Sequence, residues 1–416
     1  MNTVRRGAAA LAAAAAAVVL GTGAAFPAAA APSPTPSTGT LPAGLYGTKD
    51  PTYDGVWRQS LAFLAQRGTG FQPADQAVSW LLGQQCEDGS FASYRADVSK
   101  PCDEKTMRDT NATAVAVQAL RAVRGQAAAP SAIDKAVKAG SDWLRTVQNK
   151  DGGWGYGVGG PSDANSTSVV IGALAAIGVR PGSFTSAEGR SPYDALLTFA
   201  LPCSDKEGAG AFAYQPDKTG KLLANADATA AATLAGLGKS VVATKASPQQ
   251  QPACTDLSKP TVGRAALNGA SYLSKALAKT GHLTLPPMPG ATDTTEQPDI
   301  GNTADAVVAL AAAGATKEAE PALTWLEKNS AAWAKEGGPA AYAQLILAAR
   351  STETDPRRFG TTDLVEQLNA TGPAPKAPDT SASSTDDESG FDVWWIIGIG
   401  TLLAVGTGFF VSGRKK

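Results

Sequence analysis

The sequence predicts an all-α chain, an (α/α)6 toroid or barrel of about twelve helices. Two alternating repeats and the near absence of strand signals carry that prediction. The first repeat is a loop element, Gln148-Asn149-Lys150-Asp151-Gly152-Gly153-Trp154, followed by Tyr156. It returns upstream as Gln85-Cys86-Glu87-Asp88-Gly89-Ser90-Phe91, and in part downstream as Gly210-Ala211-Phe212-Ala213-Tyr214. The second opens a helix. It reads Asp109-Thr110-Asn111-Ala112-Thr113-Ala114, then Asp163-Ala164-Asn165-Ser166-Thr167-Ser168, then Asn225-Ala226-Asp227-Ala228-Thr229-Ala230, with a looser copy from Asp299 to Ala304. Each copy starts with a short polar side chain able to accept bonds from free backbone N–H groups. Apolar residues at helical spacing follow, which is the pattern of a helix N-terminus.

Helices carrying Trp80, Trp143, Phe199, Tyr272 and Trp325 alternate with these. In order, the predicted helices lie near 54–67, 74–86, 109–124, 131–148, 164–178, 191–200, 225–238, 260–279, 300–314, 317–330, 337–350 and 360–370. Paired as hairpins they give six units, a number that closes a ring; an open solenoid is the alternative.

The two ends have a different character. Arg5 and Arg6, an Ala/Val/Leu run and small residues towards Ala30 form a secretory signal peptide over 1–30. A linker spans 31–44, the toroid 45–371, and a Pro/Ser/Asp-rich disordered stalk 372–390. Residues 391–411 are long and apolar enough for a transmembrane helix, with Trp394 and Trp395 at its outer edge. The basic tail 412–416 then predicts a cytoplasmic C-terminus and a toroid outside the cell. Leu368-Asn369-Ala370-Thr371-Gly372 faintly echoes a sortase pentapeptide but lacks its Pro, so wall attachment is the lesser expectation.

The formal net charge is −1, and no basic cluster marks the globular part, which argues against nucleic acid as a partner. Four cysteines in an exported chain imply two disulfides. Order and proximity favour Cys86–Cys102 and Cys203–Cys254. The spacings lack C-x-x-C and the chain has a single histidine, His282, so no cysteine metal site is expected.

The Q-x-x-x-G-x-W element and the Asp/Asn-started helices resemble the repeats of the squalene cyclase and protein prenyltransferase superfamily, the terpenoid cyclase type, over about residues 45–370. The resemblance implies a toroid in which the loop element ties each loop to a neighbouring helix. It does not by itself imply an activity. Related toroids include cobalamin carriers of the intrinsic-factor type and thioester domains of complement-like proteins.

Four chemistries are weighed against the residues. A class II cyclase protonates its substrate with the middle Asp of D-x-D-D-T-A, and Asp227 occupies that place. Asn225 and Ala228 replace its acidic neighbours, and the element recurs, as a structural cap does. A zinc prenyltransferase needs an Asp, Cys and His set, and His282 has no companion. A thioester domain needs a G-C-G-E-Q-like run; Gly83-Gln84-Gln85-Cys86-Glu87 has the residue types in the wrong order. The remaining reading is a non-catalytic, cell-surface binding protein, anchored to the membrane and working with a transporter or surface partner. Its candidate ligand-binding residues are Tyr94, Asp109, Asn111, Trp154, Tyr156, Asp163, Asn165, Tyr214 and Asp227. Phe91, Trp154 and Phe212 can equally be plugs between helices. No cofactor is required. The resemblance makes a corrinoid a candidate ligand, and the alternative is a divergent cyclase or transferase acting on a polyprenyl lipid.

Overall fold

The computed structural model describes residues 41–247, 252–285 and 296–378. The segments expected to be a signal peptide (1–30), a membrane span (391–411) and a basic tail (412–416) lie outside the described residues. No helix among those described is long and apolar enough to cross a membrane.

The chain is mostly helical, with thirteen α-helices among the described residues: α1 (Gly55–Gly68), α2 (Asp75–Gly83), α3 (Thr110–Val123), α4 (Pro130–Thr146), α5 (Ala164–Ala176), α6 (Pro192–Leu197), α7 (Ala226–Gly236), α8 (Val262–Ala278), α9 (Ile300–Ala312), α10 (Thr316–Asn329), α11 (Ala331–Gly337), α12 (Pro339–Ser351) and α13 (Leu364–Asn369). Strand is confined to two small antiparallel pairs, β1 (Phe212–Pro216) with β2 (Leu222–Asn225) and β3 (Leu283–Thr284) with β4 (Pro298–Asp299).

Several boundaries differ from the sequence expectation. The helix expected over 74–86 stops at Gly83, because the chain turns there into the first loop repeat. The one expected over 191–200 is a short helix, Pro192–Leu197, opened by a capping box between Ser191 and Asp194. The one expected over 337–350 begins only at Pro339. Gly338, at φ +70°, separates it from α11, which packs on α12 as a further helix. The last expected helix, 360–370, shortens to α13 after a single 3-10 turn at Pro356–Arg358. Each loop repeat that precedes a strand pair also carries an aromatic or Leu residue into extended backbone, which periodicity did not reveal.

Six helices pack on one another in cyclic order. α1 packs on α3, α3 on α5, α5 on α7, α7 on α9, α9 on α12, and α12 returns to α1. These helices are buried on nearly every side; α1 alone buries eleven residues from Gly55 to Gln66. The others lie chiefly against one member of that set and touch a second, α4 on α3 and α5, α8 on α7 and α9, and α10 on α9 and α12. Their burial is one-sided: α4 buries Ile133, Ala136, Gly140, Trp143 and Leu144, a stripe at three- and four-residue spacing. Small residues set the approach. A Cβ on Gly140 would sit 2.7 Å from Val117 Cγ2, and one on Gly269 2.5 Å from Thr233 Oγ1.

The loop repeat is one physical device used several times. Phe91 N–H donates to Thr113 Oγ1 (2.8 Å), Trp154 N–H to Thr167 Oγ1 (3.1 Å), Phe212 N–H to Thr229 Oγ1 (2.9 Å) and Leu283 N–H to Thr303 Oγ1 (2.9 Å). Each bond ties a loop to the first turn of the helix that follows it. The glutamines tie the same loops to the neighbouring hairpin. Gln85 Nε2 donates to Gly89 O and to Ala136 O, and Gln148 Nε2 to Gly152 O and Phe184 O. Gly89 and Gly152 both take φ +92°, and a Cβ at either would lie 2.3 Å from a backbone oxygen of the next hairpin. Only glycine satisfies both demands.

Cys86–Cys102 and Cys203–Cys254 are disulfides, as the order of the cysteines predicted. The segment Leu368–Gly372 is docked: Leu368 is fully buried, Thr371 O accepts from Gly47 N–H (2.8 Å), and Gly372 lies against the Tyr46 ring. The chain stays in contact beyond it. Pro373 O accepts from the Tyr46 hydroxyl, and Lys376 pairs with Gln72.

Candidate functional site

The polar residues of the helix-opening repeats gather at the N-terminal ends of α3, α5, α7 and α9. Asp109, Asp163, Asn225 and Asp299 are the N-caps, each accepting from the N–H three residues on. Capping is therefore the first duty of Asp109 and Asp163, and both are almost completely buried. Burial raises their pKa values above the ordinary carboxylate range, while the capped N–H groups act in the opposite sense.

A tyrosine from the next loop closes each of these two caps. The Tyr156 phenol reaches Asp109, beside Ser93 Oγ, which donates to Asp109 Oδ2 at 2.8 Å. The Tyr214 phenol reaches Asp163 in the same way, and burial together with that carboxylate pushes its pKa up to about 12. Each ring has its hydroxyl turned inward and is 43 % exposed. Tyr94 stacks on Trp80 and touches the start of α1.

Trp154 is not available to a ligand. It is 1 % exposed, and its Nε1–H donates to Leu144 O at 2.8 Å. Phe91 and Phe212 are likewise fully buried. These three aromatics are plugs that hold their loops against the helices, which corrects the expectation that Trp154 lines a site.

Past the caps lies a second tier, one residue from each helix. Asn165 Nδ2 donates to Asp227 Oδ2 at 2.5 Å, bridging α5 and α7. Gln344 Nε2 of α12 donates to Asp305 Oδ2 of α9 at 3.2 Å. Asp227 and Asp305 are deeply enclosed by protein yet keep partial solvent contact. Burial raises the Asp227 pKa, and the charges of Asp299 and Asp163 add to it. Burial and then the Asp227 charge push Asp305 up to about 7. Asn111 and Asn165 each keep a buried carbonyl oxygen with no partner. Asp227 lies in the first turn of α7, where the helix dipole favours its carboxylate form.

Asp305 and Gln344 were not among the sequence candidates. Asp305 stands six residues after the cap Asp299, where the other repeats carry Val115, Val169 and Ala231. That single charged side chain in an apolar column was the available signal. His282 packs its ring on Trp325 at 4.4 Å, and all four cysteines are consumed by disulfides. Among the described residues no group of three His, Cys, Asp or Glu stands close enough to hold a metal ion.

No protein-family profile matches the chain. No curated protein is similar to it at a significant level. Among solved structures, it is similar to a sugar epimerase from a ruminal bacterium at 14% identity and TM-score 0.43, over 69% of this chain and 80% of that one. It is similar to a glycosidase at 11% identity and TM-score 0.39, over 74% and 90%. A protein from Actinoplanes is similar at 17% identity and TM-score 0.32, over 71% and 100%. At these values the likenesses carry no argument.

Proposed function

We propose that the cyclic packing order of α1, α3, α5, α7, α9 and α12 is the inner ring of an (α/α)6 toroid, and that this ring is an extracellular ligand-binding protein held to the membrane by 391–411. The observation that supports it is the set of Asn111, Asn165 and Asp227 in the first turns of α3, α5 and α7, with Asp305 and Gln344 near the middle of α9 and α12, each enclosed yet partly exposed to solvent. Such a set accepts and donates hydrogen bonds in several directions at once. It suits a large ligand edged with amides or hydroxyls, which would meet the half-exposed rings of Tyr156 and Tyr214 first. A corrinoid, with its fringe of amide side chains, has that chemistry and is the specific ligand proposed. A transporter or surface protein would receive it.

The test is native mass spectrometry of the exported chain, with cobalamin and with polyprenyl compounds. Retained cobalamin that is lost in Asn165→Ala and Asp227→Ala supports the reading. Failure to retain any corrinoid sinks the specific ligand. A second reading, a divergent cyclase or transferase, is favoured by the pair of enclosed carboxyls, Asp227 held by Asn165 and Asp305 held by Gln344, of which burial makes Asp305 keep its proton more tightly. A polyprene returned with altered mass or retention, dependent on either carboxyl, would establish it.

A further inference from the structure

The segment 92–107 has almost no regular structure, yet it is tethered along its length. The Cys86–Cys102 disulfide closes it. The Arg95 guanidinium donates to the carbonyls of Gly83, Gln85 and Lys100. The Gln84 side chain accepts from Arg95 N–H (2.6 Å) and donates to Arg95 O (3.2 Å). Asp97 and Asp103 each fold a tight turn by accepting from Ser99 and from Lys105 and Thr106. A loop held at this many points is already ordered before anything binds, so a ligand would lose little affinity to loop ordering.

This segment forms one wall of an open surface cleft of about 450 Å³. Three phenols from three separate parts of the chain meet there: Tyr53 ahead of α1, Tyr94 in the tethered segment, and Tyr156 from the next loop. Ser93 lines the cleft and connects it to the buried Asp109. Tyr53 is 80 % exposed and Met107 58 %, so both offer apolar surface to a bound ring.

The charges in the cleft are unequal in availability. Asp97 is occupied by Ser99 and by Lys100, whose Nζ lies 3.2 Å away. Asp103 is occupied by its own turn. Lys105, exposed at the rim, pairs with no carboxylate among the described residues. The lining carries Arg95, Lys100 and Lys105 against Asp97 and Asp103, a net charge of +1, and with its phenols and hydroxyls it selects for a flat ring bearing a negative charge.

We propose that this cleft is a second ligand site, distinct from the Asp227–Asp305 tier although Tyr156 borders both, and that it takes a small planar aromatic anion. The test is isothermal titration of the full chain with 1-naphthoate and with the neutral 1-naphthalenemethanol. The expected result is saturable one-to-one binding of naphthoate, at least fivefold weaker for the alcohol. Tyr53→Ala and Lys105→Ala should each weaken it at least fivefold. Both side chains are exposed, so the variants keep the parent melting temperature, which circular dichroism verifies. Absence of saturable binding, equal affinity for the alcohol, or unchanged affinity in both variants would each overturn the proposal.

Discussion

The side-chain amide of Asn165 donates to the carboxylate of Asp227 across 2.5 Å, joining the first turns of α5 and α7. Both residues hold the same place in successive copies of one sequence motif, yet their roles in the bond differ. Asn165 supplies a donor, and Asp227 is the charge it steadies. Asn165→Ala removes the donor and leaves an enclosed carboxylate short of a partner. The expected loss is about 1–3 kcal/mol at pH 7, read by urea denaturation. Asp227→Asn in the same background should recover part of it, since it removes the charge. No recovery would mean that the loss comes from packing.

Asp305 links stability to pH. Its ionised form is the costly one in the fold, and its pKa rises to about 7. The folded chain therefore holds this proton more tightly than the unfolded chain. Stability contributed by Asp305 is full below the unfolded value of about 4 and is lost as pH rises through about 7. Asp305→Asn should match the parent near pH 4 and exceed it at pH 8, by on the order of 2–4 kcal/mol at most. Thermal melts across that range check the sign. A variant less stable than the parent at pH 8 would contradict it.

Gly152 meets two constraints at once, a φ of +92° and the oxygen of Ser191 2.3 Å from any Cβ. Gly152→Ala should cost at least about 3 kcal/mol, through backbone strain and the forced separation of the loop from α6. Gly157→Ala, five residues on with nothing within 4 Å of its Cβ, should change stability by less than about 0.5 kcal/mol. Paired melting curves decide it; equal losses would show that the loop tolerates displacement.

The two disulfides should differ in worth. By chain entropy, Cys86–Cys102, with a separation of 16, contributes about 3 kcal/mol, and Cys203–Cys254, with a separation of 51, about 4 kcal/mol. Double Cys→Ser replacement of each pair, followed by denaturant titration, measures both. Opening Cys86–Cys102 should also loosen the segment 92–107, visible as faster amide exchange there.

Helix content, the pairing of the cysteines and the repeat itself follow from sequence alone, because each rests on local chemistry. An Asp or Asn ahead of an apolar run caps a helix wherever it lies, as Asp109, Asp163, Asn225 and Asp299 do. The loop repeat hid two further copies. Gly44-Leu45-Tyr46 uses Gln59 Oε1 to accept the Tyr46 N–H, where the other loops use a threonine. Gly281-His282-Leu283 places leucine where the others place an aromatic. In both, the backbone geometry persists after the recognisable side chain has changed.

What the tertiary structure decided is which polar residues meet. Trp154 and Tyr156 are two positions apart, a spacing that a regular strand would turn to one face, yet one is sealed beneath the loop against Leu144 and the other is half exposed, because the chain bends at Tyr156 and its phenol reaches across to Asp109. Asp305 lies in an apolar column of its repeat, and its pKa depends on Asp227 from another helix. Gln344 arrives from α12, about forty residues along the chain from the carboxylate it bonds. Capping and turn chemistry act over a few residues and can be read in order. Desolvation and charge coupling act through space, and they exist only once helices distant in sequence are packed side by side.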